Sequence, residues 1–348
     1  METILPCVEV APPAANRARL LPELILQIVD CVVPPNADTI LPPSHISTKT
    51  LIALSTTSRI TCKQAQRLLR QRCLYLDTRR RAESFLRCLQ AATKDTATAP
   101  RDDIRLAAMF LAPFDRKLLD DVPTAKLVRA LFYAVGGSLR RLVVRMPFAT
   151  LHPVVDHLGV REILREGFAQ LERLEEFVGL HEYPNLNLAA SRAPRLRTED
   201  LWNAWPELRR LVLFGAEIDD EKLWEGLARL PRLTDVVLAR PRNVGVLDMK
   251  EEYFAAGAGV QEKGEEFDAG KEMRVMLMDV SYDVQDIQTD SWEKRDPDGA
   301  MTVEVYEVPT SYYGDETEQE TVAAWVSGGV WSGQIWDWRG EVVGRGLT

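Results

Sequence analysis

The chain has little of what most often carries chemistry. There are four histidines among 348 residues: His45, His152, His157 and His181. His152 and His157 are five apart, the wrong interval for one helix face, and no glutamate completes a zinc-protease motif around them. Five cysteines, Cys7, Cys31, Cys62, Cys73 and Cys88, have neither metal-ligand nor redox spacing. They read as reduced thiols, with Cys31 and Cys73 as small core residues among apolar neighbours. Gly257-Ala258-Gly259 lacks the rest of a dinucleotide fingerprint, and neither a phosphate loop nor a nucleophile elbow occurs. The carboxylates Asp283, Asp286 and Asp290 read as a solvated face rather than a glycosidase pair. These absences argue against an enzyme, and no cofactor or metal is expected. No apolar run approaches the length needed to cross a bilayer, and the N-terminus has no basic segment followed by an apolar core. An intracellular protein, cytoplasmic or nuclear and without a membrane partner, is the expectation.

What is present is a strong charge asymmetry. The formal net charge is −9. Residues 17–90 hold twelve Lys or Arg against five Asp or Glu, whereas residues 248–348 hold eight against 23. An acidic whole argues against general nucleic-acid binding, while the basic N-terminal part suits an acidic partner. Arg79-Arg80-Arg81 reads as the solvated start of a helix, being shorter than an import or phosphate patch.

Residues 1–16, rich in Pro and Ala without periodicity, read as a disordered leader. The next stretch organises the rest. In Arg19–Cys31 and the residue after it, Leu24, Ile25, Ile28, Val29 and Val32 fall on one side of a helix, and Glu23, Gln27 and Asp30 on the other. Pro22 suits the first helical position, and Glu23 the positive end of the helix dipole. Leu21-Pro22-Glu23-Leu24-Ile25 resembles the opening of an F-box. Leu51-Ile52-Ala53-Leu54 through Ser58-Arg59 resembles its second helix, and Ala65-Gln66-Arg67-Leu68-Leu69 its third. Three features depart from that family: Glu23 follows the proline one residue early, a Pro-rich insertion at residues 34–49 reads as a surface loop, and Cys62-Lys63-Gln64 stands where a tryptophan is common. The F-box-like segment spans residues 17–77.

From Leu74 onward strand-like and helix-like segments alternate. Leu74-Tyr75-Leu76 reads as a strand, Glu83–Ala92 as a helix, Ala97–Asp103 as a turn, and Ile104–Phe110 as a strand or short helix. Pro123–Val135 reads as a helix stopped by Gly136-Gly137. Leu139-Arg140-Arg141-Leu142-Val143-Val144 then sets a form with apolar residues at i, i+3 and i+5. It recurs at Leu208–Leu213 and Leu233–Leu238, and in part at Leu174–Gly179. The starts recur every roughly 25 to 35 residues, a solenoid range. Leu-x-x-Leu-x-Leu resembles the strand of a leucine-rich repeat, without the usual laddering Asn. Val154–Leu171 and Asp220–Leu230 read as intervening helices, each needing a neighbouring repeat to bury its apolar face. Residues 251–271, rich in Gly and Glu, read as a mobile acidic loop. Arg274–Val280 and Met301–Val308 read as strands, Glu320–Val330 as a helix, and Ile335-Trp336-Asp337-Trp338 as part of a Trp-rich C-terminal cap. Trp202, Trp205 and Trp224 read as core.

The expected fold is therefore mixed α/β: a three-helix F-box-like segment followed, over residues 78–348, by an irregular leucine-rich-repeat-like solenoid. Ser138–Leu142, Trp205–Leu211, Val308–Asp315 and Trp336-Asp337-Trp338 extend the resemblance to a group of fungal F-box-like proteins. What the resemblance implies is a substrate receptor of a Skp–cullin–F-box ubiquitin ligase. It would dock on a Skp adaptor, and through it a cullin, by Leu21, Pro22, Leu24, Ile25, Ile28, Leu51 and Leu54. The array would hold an unidentified protein target. Outward positions alternate with core ones along a strand, which makes Val143, Arg145, Val178, Arg210, Val212 and Val237, with Arg240 just beyond, the candidate target contacts. The three arginines suit an acidic or phosphorylated target, or are simply solvent-facing. The alternative is a scaffold that recruits no ligase. It predicts Leu21, Pro22 and Ile25 covered within the chain, whereas the receptor reading predicts them exposed.

Overall fold

A computed structural model describes residues 20–35, 39–95, 106–115, 118–186, 201–280, 287–310 and 316–344. The expected leader, the turn at Ala97–Asp103, and Asp283 and Asp286 lie outside them. The fold is mixed α/β, with ten α-helices among the described residues and one nine-stranded sheet.

Three helices come first: α1 (Pro22–Asp30), α2 (Ile46–Leu54) and α3 (Arg59–Arg72). Val29, Leu51, Ala65 and Leu68, one or two from each helix, form a small core of their own. The sheet follows, with strands in sequence order: β1 (Tyr75–Leu76), β2 (Ala108–Leu111), β3 (Arg141–Val144), β4 (Glu176–Gly179), β5 (Arg210–Phe214), β6 (Asp235–Ala239), β7 (Met273–Asp279), β8 (Met301–Glu307) and β9 (Glu341–Val342). Neighbours from β1 to β8 are parallel, and β9 is antiparallel to β8. Parallel neighbours need crossovers, and six of the seven contain α4 (Arg79–Asp95), α5 (Val122–Val135), α6 (Val160–Phe168), α7 (Glu221–Ala228), α8 (Met249–Glu262) or α9 (Trp292–Arg295), while the described part of the link from β4 to β5 holds only a short 3-10 turn, Leu201–Ala204.

The starts of these helices are chemically marked. Asp121, Asp220 and Asp248 accept hydrogen bonds from the backbone N–H groups of Thr124, Lys222 and Glu251. The crossover helices share one face of the sheet. Leu142, Phe177, Leu211, Val236, Val275 and Val303 point to that side, against Val128, Phe132, Leu164, Phe168, Leu223, Tyr253 and Val260. Trp202, Trp205 and Trp224 are wholly buried there, as expected from their ring area. The Trp205 and Trp224 indole N–H groups donate to the carbonyls of Phe168 and Ile218.

The opposite face is also covered. The last helix, α10 (Glu318–Ser332), lies across it. Val322, Ala323, Val326 and Val330 pack on Phe110, Val143, Val178, Val212, Val237 and Met276. A Thr317–Glu320 capping box starts this helix, and Gly333, at φ 73°, ends it. The Trp-rich segment reaches both ends of the sheet: Trp338 lies on Tyr306 of β8, against which β9 pairs. Trp331 reaches back to the first strands, with its ring 5.6 Å from Tyr75 and 5.0 Å from Phe110.

Four further expectations are corrected. Residues 251–271 are not a loop throughout: α8 occupies their first half, because Asp248 caps it and Tyr253 and Val260 have a core to enter. The insertion at residues 34–49 is not all surface loop. Thr39, Ile40 and Leu41 are buried, the Leu41 N–H donates to the Arg72 carbonyl, and α2 begins at Ile46. The helix expected from Val154 starts only at Val160, since Gly159 takes a left-handed φ of 69° at the helix entry. Cys31 is exposed rather than a core residue. Cys73 is half-buried, and that burial raises its thiol pKa.

Candidate functional site

The three N-terminal helices carry exposed apolar side chains that the other described residues do not cover. In α1, Leu21 stands at the N-cap with extended backbone (φ −61°, ψ 141°), and Pro22 and Glu23 open the first turn. Val29 points to the small core, while Leu20, Leu21, Leu24 and Ile28 are exposed. In α2 the His45 side chain accepts from the Ser47 N–H, Leu51 points inward, and Ile46 and Ile52 point out. In α3, Ser58 and Thr61 form a capping box, Ala65 and Leu68 point inward, and Ile60 points out. These seven outward side chains are between 44% and 71% exposed. Asp30 joins α1 to α3 by accepting from Gln64 and by pairing with Arg67 at 3.7 Å. Arg59, Lys63, Arg67 and Arg70 make the exposed side of α3 basic.

The expected adaptor residues thus divide. Leu21, Pro22, Leu24 and Ile28 lie outward, and Ile25 is half-buried. Leu51 is fully buried in the small core and Leu54 packs against it, so both hold the helices together rather than face out. Ile46, Ile52 and Ile60 join the exposed face and escaped sequence reasoning. Their signal was an apolar residue flanking each helix's inward positions.

The expected target contacts fare differently. Val143, Val178, Val212 and Val237 do lie on the face opposite the crossover helices, but α10 covers them completely. The premise of an open face is corrected: a strand with apolar residues on both faces wants a covering layer on both. The three arginines are engaged within the chain. Arg145 is half-buried, its guanidinium 5.7 Å from the Phe110 ring centre. Arg210 pairs with Glu176 at 3.5 Å and lies 5.6 Å from the Trp336 ring centre. Arg240, in a left-handed conformation (φ 49°), reaches Glu318 at 2.9 Å and Asp279 at 3.5 Å. Burial raises the Asp279 carboxyl pKa, against the lowering effect of the Val280 N–H and Arg240.

Arg210 belongs to a row of alternating charge. The pairing register aligns Arg141, Glu176, Arg210, Asp235 and Arg274 across β3 to β7. Arg141 and Glu176 are 2.6 Å apart, Arg274 and Asp235 2.9 Å, and Arg274 and Glu304 of β8 3.7 Å. This row receives the C-terminal segment. Arg141 donates to the Val330 carbonyl, Arg274 to those of Trp336 and Trp338, and Glu304 accepts from the Gly340 N–H. The alternation is visible in the sequence once the repeats are aligned, because the third residue of each form is Arg141, Glu176, Arg210 or Asp235.

Among the described residues no group of three or more His, Cys, Asp or Glu is placed to hold a metal ion, and no helix is long and apolar enough to cross a membrane. No protein-family model matches the chain, and no curated protein or solved structure matches it.

Proposed function

We propose that the chain is the substrate-recognition subunit of a Skp–cullin–F-box-type ubiquitin ligase. In this reading α1–α3 are a divergent F-box and the strand–helix array that follows is an irregular leucine-rich-repeat-like solenoid. The observation that carries the reading is the exposure of Leu21, Pro22, Leu24 and Ile28 along α1, with Ile52 of α2, on a small, separately cored three-helix unit that the other described residues leave uncovered there. Exposed large apolar side chains at helical spacing, as Leu21, Leu24 and Ile28 are, suit a partner surface. Full burial of such a side chain is worth about 1.5–3 kcal/mol, so a few of them suffice to anchor a partner helix. The basic exposed side of α3 suits an acidic adaptor. The sequential parallel sheet supports the array reading. The receptor itself catalyses nothing: it would hold an unidentified protein near a ubiquitin-charged enzyme and act by raising effective concentration. With the strand valines covered, the target would meet loops and rims that α10 leaves open.

The test is co-expression with a Skp-type adaptor and size-exclusion chromatography, wild type against Leu24→Asp with Ile28→Asp. Both positions are exposed, so the variant keeps the thermal unfolding curve of the wild type. A one-to-one complex that is lost in the variant supports the reading. A monomer indifferent to the adaptor overturns it and leaves a scaffold that recruits no ligase.

A further inference from the structure

The segment that covers the sheet also builds a cavity of about 600 Å³ on the outer side of α10. Its floor is made of small residues on that side of the helix, among them Ala324 and Gly328, and Trp325 and Trp338 form its walls. Trp338 stacks on Tyr306, at 5.4 Å and 19°, and lies tilted against Trp325, at 5.7 Å and 31°.

We propose that this cavity binds a basic side chain of a peptide: an alkyl stem ending in an ammonium or guanidinium group. Three properties select that ligand. The volume lies in the range of sites that enclose small groups, and the small-residue floor gives an alkyl stem an apolar bed. The indole face of Trp325 attracts a cation held within about 6 Å of its centre. Among the described residues, the charged side chains in the lining are both carboxylates, Glu316 and Glu318, with no Lys, Arg or His beside them. Glu318 is shared with Arg240, so Glu316 is the carboxylate that meets the incoming charge. An anionic group would meet the Glu316 carboxylate, the charge that the Glu318–Arg240 pair leaves unbalanced in the lining. The inference stands apart from adaptor docking, which uses the opposite end of the chain.

The experiment titrates the full chain with N-acetyl-lysine amide, N-acetyl-arginine amide and the uncharged N-acetyl-norleucine amide, followed by calorimetry. Both cations are expected to bind in the millimolar range, with norleucine about tenfold weaker, and added salt weakens the cations alone. Gly328→Leu is the blocking variant. A Cβ added at Gly328 meets no atom within 4 Å, so the larger side chain enters the cavity without displacing the helix. It is expected to abolish binding while the circular dichroism is kept, and Trp325→Leu to weaken binding at least about fivefold. Norleucine binding as well as lysine would overturn the proposal, as would silence from all three probes. So would binding that survives in both variants.

Discussion

Ending the chain after Thr310 would remove α10 and β9 and uncover the inner face of the sheet. Phe110, Val143, Val178, Val212, Val237 and Met276 on that face are all inaccessible in the intact chain. At about 1.5–3 kcal/mol for each buried side chain, their exposure forfeits about 9–18 kcal/mol. A native domain is stable by only about 5–15 kcal/mol in total, so the truncated chain is expected to lose its cooperative fold. The assay is soluble expression followed by urea unfolding monitored by circular dichroism, with an apolar-surface dye as a second probe. The expected product is insoluble, or binds the dye and unfolds without a sharp transition. A milder version of the same perturbation is Val326→Ala in the middle of α10, which removes two methyl groups from a closed site and costs about 1.5–3 kcal/mol. A truncated chain that unfolds cooperatively within about 2 kcal/mol of the full-length protein would refute the reasoning, because α10 would then be an appendage and not a layer of the core.

Two other outcomes follow from the charge pattern. Glu176→Gln leaves Arg141 buried beside a neutral partner and should cost about 3–5 kcal/mol in urea unfolding. Glu175→Gln, in the exposed pair with Arg140 at 3.3 Å, should cost under about 1 kcal/mol, and equal effects would sink the distinction. Lys271 supplies a pH test. Burial, opposed by Asp268, lowers its pKa to about 8, and its Nζ donates to the Leu230 carbonyl. An unfolded lysine titrates near about 10.4, so between pH 8 and that value the unfolded state binds more protons and stability rises with pH. Below pH 8 the cost of the buried charge is constant. The urea midpoint of the wild type should therefore gain on that of Lys271→Met across this window, and a constant gap would show that the site does not perturb the lysine.

Much of this fold is legible in the chain. The form that begins at Leu139, Leu174, Leu208 and Leu233 places four neighbouring strands, because an apolar residue every second position has meaning only on a pleated strand. Of the helices around them, Pro123–Val135 and Asp220–Leu230 are marked in the sequence by the Pro and the Asp at their starts. Pro22 and Glu23 likewise mark the start of α1. Residues 251–271 misled because Gly257 and Gly259 look like a loop. In the folded chain Gly257 is a close contact instead, and a Cβ there would strike the Phe267 ring. The candidate adaptor face was half legible. Helical spacing separates the two sides of α1, but which side meets the small core depends on α2 and α3, so Leu51 was assigned outward when it is at the centre. The covering of the sheet was legible in principle. Val143, Val212 and Val237 interrupt the polar–apolar alternation that a strand with one wet face requires.

The sequence by itself determined the local elements and the order in which they pair. Capping chemistry and hydrophobic period act over a few residues, and parallel strands joined by single helices fall beside their neighbours in turn. Only the tertiary structure decided what covers each face. Nothing within residues 316–344 says that this segment will cross six earlier strands. The decision comes from distant matches: valines at alternate strand positions need an apolar lid, and Arg141, Arg274 and Glu304 need the backbone groups that α10 and the Trp336–Gly340 turn bring to them.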